Sequence, residues 1–370
     1  MTLEETRDQR NLESLATLVF AWNPALPSQL PTDLEALRTE LRYVRSLQPA
    51  ELAGFRDLAG KHHVIVRALQ MLQSIAVQDG EEEIERWCAT ALEDEQARIE
   101  NALGILALLC QTLEFHGCRC LVMKSLDHWP DLGSDLDLYT TAAEEDIQRV
   151  MQKEFRAAAM PRSWGDALAN KWNFRVPGLP ELVEIHVRYL GQTGEHQLLA
   201  QRIMLRRTSK EVGKYKFAVP AAEEQILIST LQRMYRHFYF RLCDMADVAS
   251  LVRRGAVDFA ELKRTAEASG IWPGAAAYLR LVANYAAEHG AAIELPQEIR
   301  GPGNSQIDVR LENQFLRIPK ALGAKLYSLQ LLEAGKKLDL RAVCRLPLLP
   351  PLAISALVAY RLTGDDKGVW

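Results

Sequence analysis

The sequence predicts an α+β chain, a small mixed β-sheet core near the middle with large N- and C-terminal helical extensions. Apolar residues recur at helical spacing before about residue 116 and after about residue 221. Between those stretches the period falls to two, in short runs bounded by Gly and Pro. The resulting strand-loop-strand-helix-strand-strand order suits a small mixed sheet with helices behind it. The expected divisions are an N-terminal helical domain over 1–94, a core over 95–220, a helical bundle over 221–295, and a linker, helix and apolar tail over 296–370.

In the first section Leu12, Leu15, Ala16 and Val19 begin one apolar face. Leu34, Leu37, Leu41 and Val44 repeat at helical spacing after a cap-like Pro31-Thr32-Asp33. A helix is expected over Val64 to Val77, and a longer one from about Glu82 to Phe115, closed by Gly117. No period of 20 to 50 residues repeats, which argues against a solenoid.

Cys120 to Met123 reads as a short buried strand, followed by a strand beginning at Asp135. A helix near Thr141 carries Glu144 and Glu145 in its first turn, where the helix dipole favours acids. Trp172 to Val176 and Leu182 to Tyr189 form a strand pair across the turn-rich Pro177-Gly178-Leu179-Pro180, and Lys214 to Val219 is a further strand candidate.

The chemistry concentrates in this middle section. In Gly133-Ser134-Asp135-Leu136-Asp137-Leu138, strand alternation sends Asp135 and Asp137 to one face and the two leucines to the other. Adjacent carboxylates repel unless a cation lies between them. Mg²⁺ suits the position, because it accepts a few carboxylates and leaves sites for water and phosphates. The plain alternative is a turn entering a solvated strand. Glu184 and His186 share a face of the later strand by the same alternation, whereas Glu181 has the opposite parity and follows Pro180. His186 could orient Glu184, bind phosphate, or simply be a satisfied rim histidine.

These residues resemble the nucleotidyltransferase superfamily, and more closely a poorly characterised bacterial branch of it. The likeness rests on Met123-Lys124-Ser125, Asp135-Leu136-Asp137-Leu138, Glu184-Ile185-His186, and His237 with Arg241-Leu242-Cys243-Asp244. Asp247, one turn on, could equally be that branch's helix aspartate. The resemblance covers roughly residues 95 to 255, and Ser125 stands where the family usually has Gly. It implies Mg²⁺ or Mn²⁺ held by Asp135, Asp137 and Glu184, the last also activating the acceptor. It also implies contact of a nucleoside triphosphate with Lys124, Ser125, Ser134 and His186. The implied reaction moves a nucleotidyl group to a hydroxyl or phosphate of an unidentified small molecule, sugar or peptide. Alternatives are a non-catalytic nucleotide- or peptide-binding module on the same fold, or transfer of a sugar or phosphoryl group by the same metal site.

Ala221 to Arg254 reads as helix, with Arg233, His237 and Arg241 at i, i+4 and i+8 on one face and Asp244 within reach of Arg241. That face is either solvated or a cationic wall for phosphates, with the histidine as a switchable charge. Two more helices follow over 258–290. A loop runs from Leu295 through Gly301, Pro302 and Gly303 to Asn304, and a final helix spans about Ala321 to Gly335.

The remaining signals bound the function. Of 370 residues, 48% are apolar and 25% charged, the balance of an ordinary soluble chain. The net charge of −4 gives no reason to expect a nucleic-acid partner. Six scattered cysteines suggest reduced thiols and a cytoplasmic location. His116-Gly-Cys118-Arg-Cys120 lacks the second ligand pair of a structural zinc site, and His62-His63 reads as a surface pair at a helix start. The proline-broken apolar stretch Leu346 to Tyr360 is too short to span a membrane and is expected to dock on the core.

Overall fold

The computed structural model describes residues 3–23, 29–31, 34–300 and 309–363. The expected cap at Thr32 and Asp33, and the Gly301 to Asn304 part of the expected loop, lie outside the described residues. Five helices come first: α1 (Leu3–Ala21), α2 (Glu35–Arg45), α3 (Pro49–Lys61), α4 (Ile65–Asp79) and α5 (Glu82–Phe115). Three acids, Glu82, Glu83 and Glu85, sit in the first turn of α5. Its other end closes where Gly117 takes φ 77° and the Cys118 N–H bonds the Leu113 carbonyl, a turn that favours glycine.

The central sheet follows, with strands β1 (Cys120–Val122), β2 (Asp135–Thr140), β3 (Ala158–Ala159), β4 (Lys171–Arg175) and β5 (Leu182–Val187). Their spatial order is β1-β2-β5-β4-β3, with β2 and β5 parallel and the other neighbours antiparallel. The sheet is therefore mixed, as expected. Register fixes its two faces. Leu136, Leu138, Val183, Ile185 and Phe174 share one face and are fully buried. Burial of each such side chain is worth roughly 1.5–3 kcal/mol, so a one-residue slip of β2 would be costly. The opposite face carries Asp135, Asp137, Glu184, His186 and Lys171.

Helices α6 (Glu144–Phe155) and α7 (Trp164–Ala169) lie within this section, and α8 (Gln197–Leu205) precedes a hairpin of β6 (Thr208–Val212) and β7 (Tyr215–Val219). Next comes α9 (Ala222–Thr230), then a π-helix over Leu231–His237 and strand β8 (Tyr239–Phe240). Helices α10 (Leu242–Arg253), α11 (Phe259–Ala268), α12 (Trp272–Glu288) and α13 (Gln297–Arg300) complete this part.

The C-terminal section differs from expectation in two ways. It contains a hairpin, β9 (Arg310–Glu312) with β10 (Phe315–Arg317), whose β10 pairs with β8. The turn uses Asn313 and Gln314 at φ 51° and 66°, a primed hairpin turn that asparagine tolerates. After α14 (Lys320–Lys336) and α15 (Leu340–Arg345), the tail docks only in part. Leu346 is buried in a small cluster with Ala334 and Ala342. The prolines at 350 and 351 open α16 (Leu349–Thr363) instead of breaking it, because the first turn of a helix needs no N–H there. Along α16, Ile354, Val358 and Leu362 are exposed. Among the described residues, no helix is long and apolar enough to cross a membrane.

Candidate functional site

A cavity of about 260 Å³ lies over the polar face of the sheet. On the sheet side it is lined by Lys124, Ser125, Ser134, Asp135, Asp137, Lys171 and Glu184, and on the helix side by Arg233, Arg236, His237, Tyr239 and Arg241. Nine of the ten residues singled out from the sequence thus meet at one cavity. The tenth, His186, lines a smaller neighbouring pocket that shares Lys124 and Arg236.

Parallel pairing sets Asp137 directly beside Glu184, and antiparallel pairing sets Lys171 beside His186. The lysines follow from that register. Lys171 Nζ lies 2.8 Å from both Glu184 Oε2 and Asp166 Oδ1. Lys124 Nζ lies 2.5 Å from Asp137 Oδ1 and 3.7 Å from Glu184 Oε1. His186 Nε2 is 2.7 Å from Glu184 Oε1, so this histidine does hold the carboxylate in place. Its Nδ1 is buried without a hydrogen-bond partner among the described residues.

The carboxylates answer this environment differently. Burial pushes the Asp135 carboxyl up to about 6, and the negative charges of Asp137 and Glu184 add to the rise. Burial acts on Glu184 in the same direction, but Lys171, Lys124 and the His186 hydrogen bond prevail and hold it well below the usual carboxylate range. Asp137, Glu184 and His186 place ligand atoms within 4.8 Å of one another, a set able to hold a metal ion. Asp135 lies outside that closest group and at the open end of the strand. Glu181, buried on the other side, pairs with Arg98.

Two loop residues set the height of β2. Lys124 adopts φ 55°, a strained conformation for a residue with a side chain. Ser125 donates its hydroxyl to the Asp135 carbonyl at 3.1 Å and accepts the Asp137 N–H at 2.8 Å. Ser125 therefore braces the aspartate strand. Ser134 Oγ is 3.4 Å from Asp135 Oδ2.

The helix side corrects three expectations. Arg233, His237 and Arg241 do not share one helical face, because the chain passes from the π-helix through Phe238 at φ 58° into β8 and restarts at α10. The wider π turn brings Gln232, Arg233, Arg236 and His237 all onto the cavity, a device frequent at functional sites. Asp244 accepts the backbone N–H of Arg241 at 2.8 Å and forms an ion pair with Arg233 Nε at 2.7 Å, capping α10 instead of pairing with the Arg241 guanidinium. His237 is no switch near neutral pH, since burial and then the charges of Arg236, Arg233 and Arg241 hold it well below its ordinary value. Arg233 Nη1, Arg236 Nε and Arg241 Nε are buried with no hydrogen-bond partner among the described residues.

Sequence reading missed Lys171, Arg236, His63 and His128, all of which line the cavity. Lys171 could have been found from strand pairing alone, as the neighbour of His186. His62 and His63 are not a surface pair. His62 is fully buried, accepts the Leu242 N–H at 3.0 Å, and lies 2.8 Å from the Gln314 carbonyl through its other nitrogen. Burial lowers it to about 4.

Comparison with known proteins follows the same lines. A family model described as uncharacterised nucleotidyltransferase matches residues 48–287, well over half of the chain. No curated protein matches. Among solved structures, an antigenic nucleotidyltransferase-like protein from Paracoccidioides brasiliensis is similar at 15% identity and a TM-score of 0.34, over 53% of this chain and 95% of that one.

Proposed function

The chain belongs to this nucleotidyltransferase family, and from that premise we propose that it moves a nucleotidyl group from a nucleoside triphosphate to a hydroxyl or phosphate acceptor. The observation that carries the proposal is the pairing across one cavity of three carboxylates with three arginines whose buried nitrogens lack partners among the described residues. A metal-bound triphosphate presents both complementary charges at once.

Asp137 and Glu184, with Asp135 at the open end, would hold Mg²⁺ or Mn²⁺. The donor set fits, because three carboxylates share one face of the sheet and line one cavity. The nearby imidazole of His186 also admits Mn²⁺, which tolerates nitrogen ligands better than Mg²⁺ does. Such an ion orients and neutralises phosphate oxygens when bound. Lys124 reaches the same carboxylates and is placed to turn its ammonium to a phosphate. Arg236 and Arg241 would donate to phosphate oxygens, and Arg233 Nη1 would do so while its Nε stays on Asp244. Neutral His237 can donate or accept one hydrogen bond there. Ser134 adds a hydroxyl at the rim, and Ser125 keeps both aspartates at their height. Glu184, charged and held by Lys171 and His186, would accept or relay the acceptor proton.

A second reading has its own observation. Because Lys171 and Lys124 already neutralise Glu184 and Asp137, the site could bind nucleotide without turning it over.

Incubation with Mn²⁺, each of the four triphosphates and candidate acceptors tests transfer by the mass gained. Calorimetric titration with Mn²⁺ and nucleotide tests the site itself. The wild type is expected to give metal-dependent heat, and Asp135→Asn with Asp137→Asn none. An isotherm unchanged in the double variant would sink the metal assignment. Binding without any mass gain or pyrophosphate release would establish the binding module.

A further inference from the structure

We propose that His63, His128 and Cys243 form a second cation site, for a borderline-soft divalent ion of the zinc class, in the wall of the same cavity.

The three residues come from distant segments. His63 joins α3 to α4, His128 lies in the connection between β1 and β2, and Cys243 is in the first turn of α10. Their ligand atoms nevertheless lie within 4.8 Å of one another. His128 Nε2 and Cys243 Sγ are 3.8 Å apart. Zinc bonds of about 2.3 Å to sulfur and about 2.0–2.1 Å to nitrogen, at a tetrahedral angle, put S and N about 3.6 Å apart, so this pair needs only a small adjustment.

The surroundings are those of a ligand set. His128 Nδ1 is 2.5 Å from Asp247 Oδ2, and Asp247 is in turn held by Arg67 Nη1 at 2.8 Å. A carboxylate on the far nitrogen fixes the orientation of the ring and turns Nε2 towards Cys243 Sγ. His63 supplies an independent sign. Its Nδ1 is buried with no hydrogen-bond partner among the described residues, and its backbone is held at φ 53°. Cys243 is fully buried in the first turn of α10 and would bind by giving up its thiol proton.

The donor set distinguishes this site from the carboxylates across the cavity. One sulfur and two imidazoles select zinc-class ions over Mg²⁺. On binding, one S–metal and two N–metal bonds form. The thiol proton leaves to solvent, together with the Nε2 proton wherever His128 is charged. Since His63 and His128 line the cavity, an ion held there would add positive charge beside Arg233 and Arg241.

Co²⁺ titration of the chelator-stripped full chain tests this, because a thiolate ligand gives a charge-transfer absorption that carboxylates do not. One equivalent should develop the band, and Zn²⁺ should abolish it by displacement. Asp135→Asn with Asp137→Asn should retain the band, Cys243→Ser should lose it, and His63→Asn should weaken Co²⁺ binding by at least about 10-fold. Absence of the band in the wild type, or its survival in Cys243→Ser, overturns the site. If circular dichroism shows Cys243→Ser unfolded, His63→Asn decides, and unchanged Co²⁺ affinity there overturns it.

Discussion

The two sides of the cavity manage charge in opposite ways. On the sheet side two of the three carboxylates have a cation at hand, Lys124 on Asp137 and Lys171 on Glu184. On the helix side three arginines present buried nitrogens with no hydrogen-bond partner among the described residues, and among those residues only Arg233 is tied to an acid. The compensated side can exchange a lysine for a metal ion at little electrostatic cost. The uncompensated side gains most from an anion. A ligand carrying both a cation and phosphates relieves both sides together, which is the physical content of the proposed function.

If the sides differ in this way, Arg233 and Arg241 should fail differently when removed. Arg233 is buried and neutralises the buried Asp244. Arg233→Ala should lower unfolding stability by about 3 kcal/mol or more, the scale for stranding one partner of a buried pair. A urea midpoint within error of the wild type would show that the Arg241 N–H alone satisfies Asp244.

Glu184→Gln probes the sheet side. Nucleotide affinity should persist while turnover falls by at least about 100-fold, the scale for losing a general base. Retained turnover would assign Glu184 a purely structural part, as the acid that anchors Lys171 and His186.

Arg241→Ala should leave stability nearly unchanged and weaken nucleotide binding by roughly 10- to 150-fold, or about 1.5–3 kcal/mol. The contrast with Arg233→Ala is the point. A loss of stability with affinity intact would place Arg241 among the structural cations and erase the difference between the two arginines.

What could be read beforehand follows the same division. Strand alternation is rigid, so Asp135, Asp137, Glu184 and His186 could be assigned to one face from sequence, and the register bears that out. The meeting of both sides at one cavity also followed, since the resemblance named residues from each. The helix side was misread because regular spacing of 3.6 was assumed where the chain runs through a π turn and a left-handed Phe238. That assumption hid Arg236 and placed Asp244 on the wrong guanidinium. His63, His128 and Cys243 stand 65 and 115 residues apart along the chain, so a search for closely spaced ligand pairs had no means of finding them. The hairpin turn at Asn313 and Gln314 left a local trace, but strands of three residues have little apolar alternation to show.

The smallest effect is the most direct reading of charge on the sheet side. The Asp135 carboxyl stands at about 6 in the folded chain, against about 3.9 for an unperturbed aspartate. The folded state therefore binds more protons than the unfolded state between about pH 4 and pH 6, and folding loses stability as pH rises through that window. Above pH 6 the penalty is complete, and below about pH 4 it is absent. Asp135→Asn removes the titrating group, so the variant should melt higher than the wild type at pH 7. The gap should narrow from pH 6 to pH 4 and then vanish. Other acids titrate in both proteins, so the quantity to follow is the difference between their melting temperatures. Saturating Mn²⁺ should reverse the order at pH 7, because the charge that destabilises the ion-free fold then gains a partner. A wild type that melts above the variant at pH 7 without Mn²⁺ would show that the lysines compensate all three carboxylates. The contrast between the two sides of the cavity would then rest on the arginines alone.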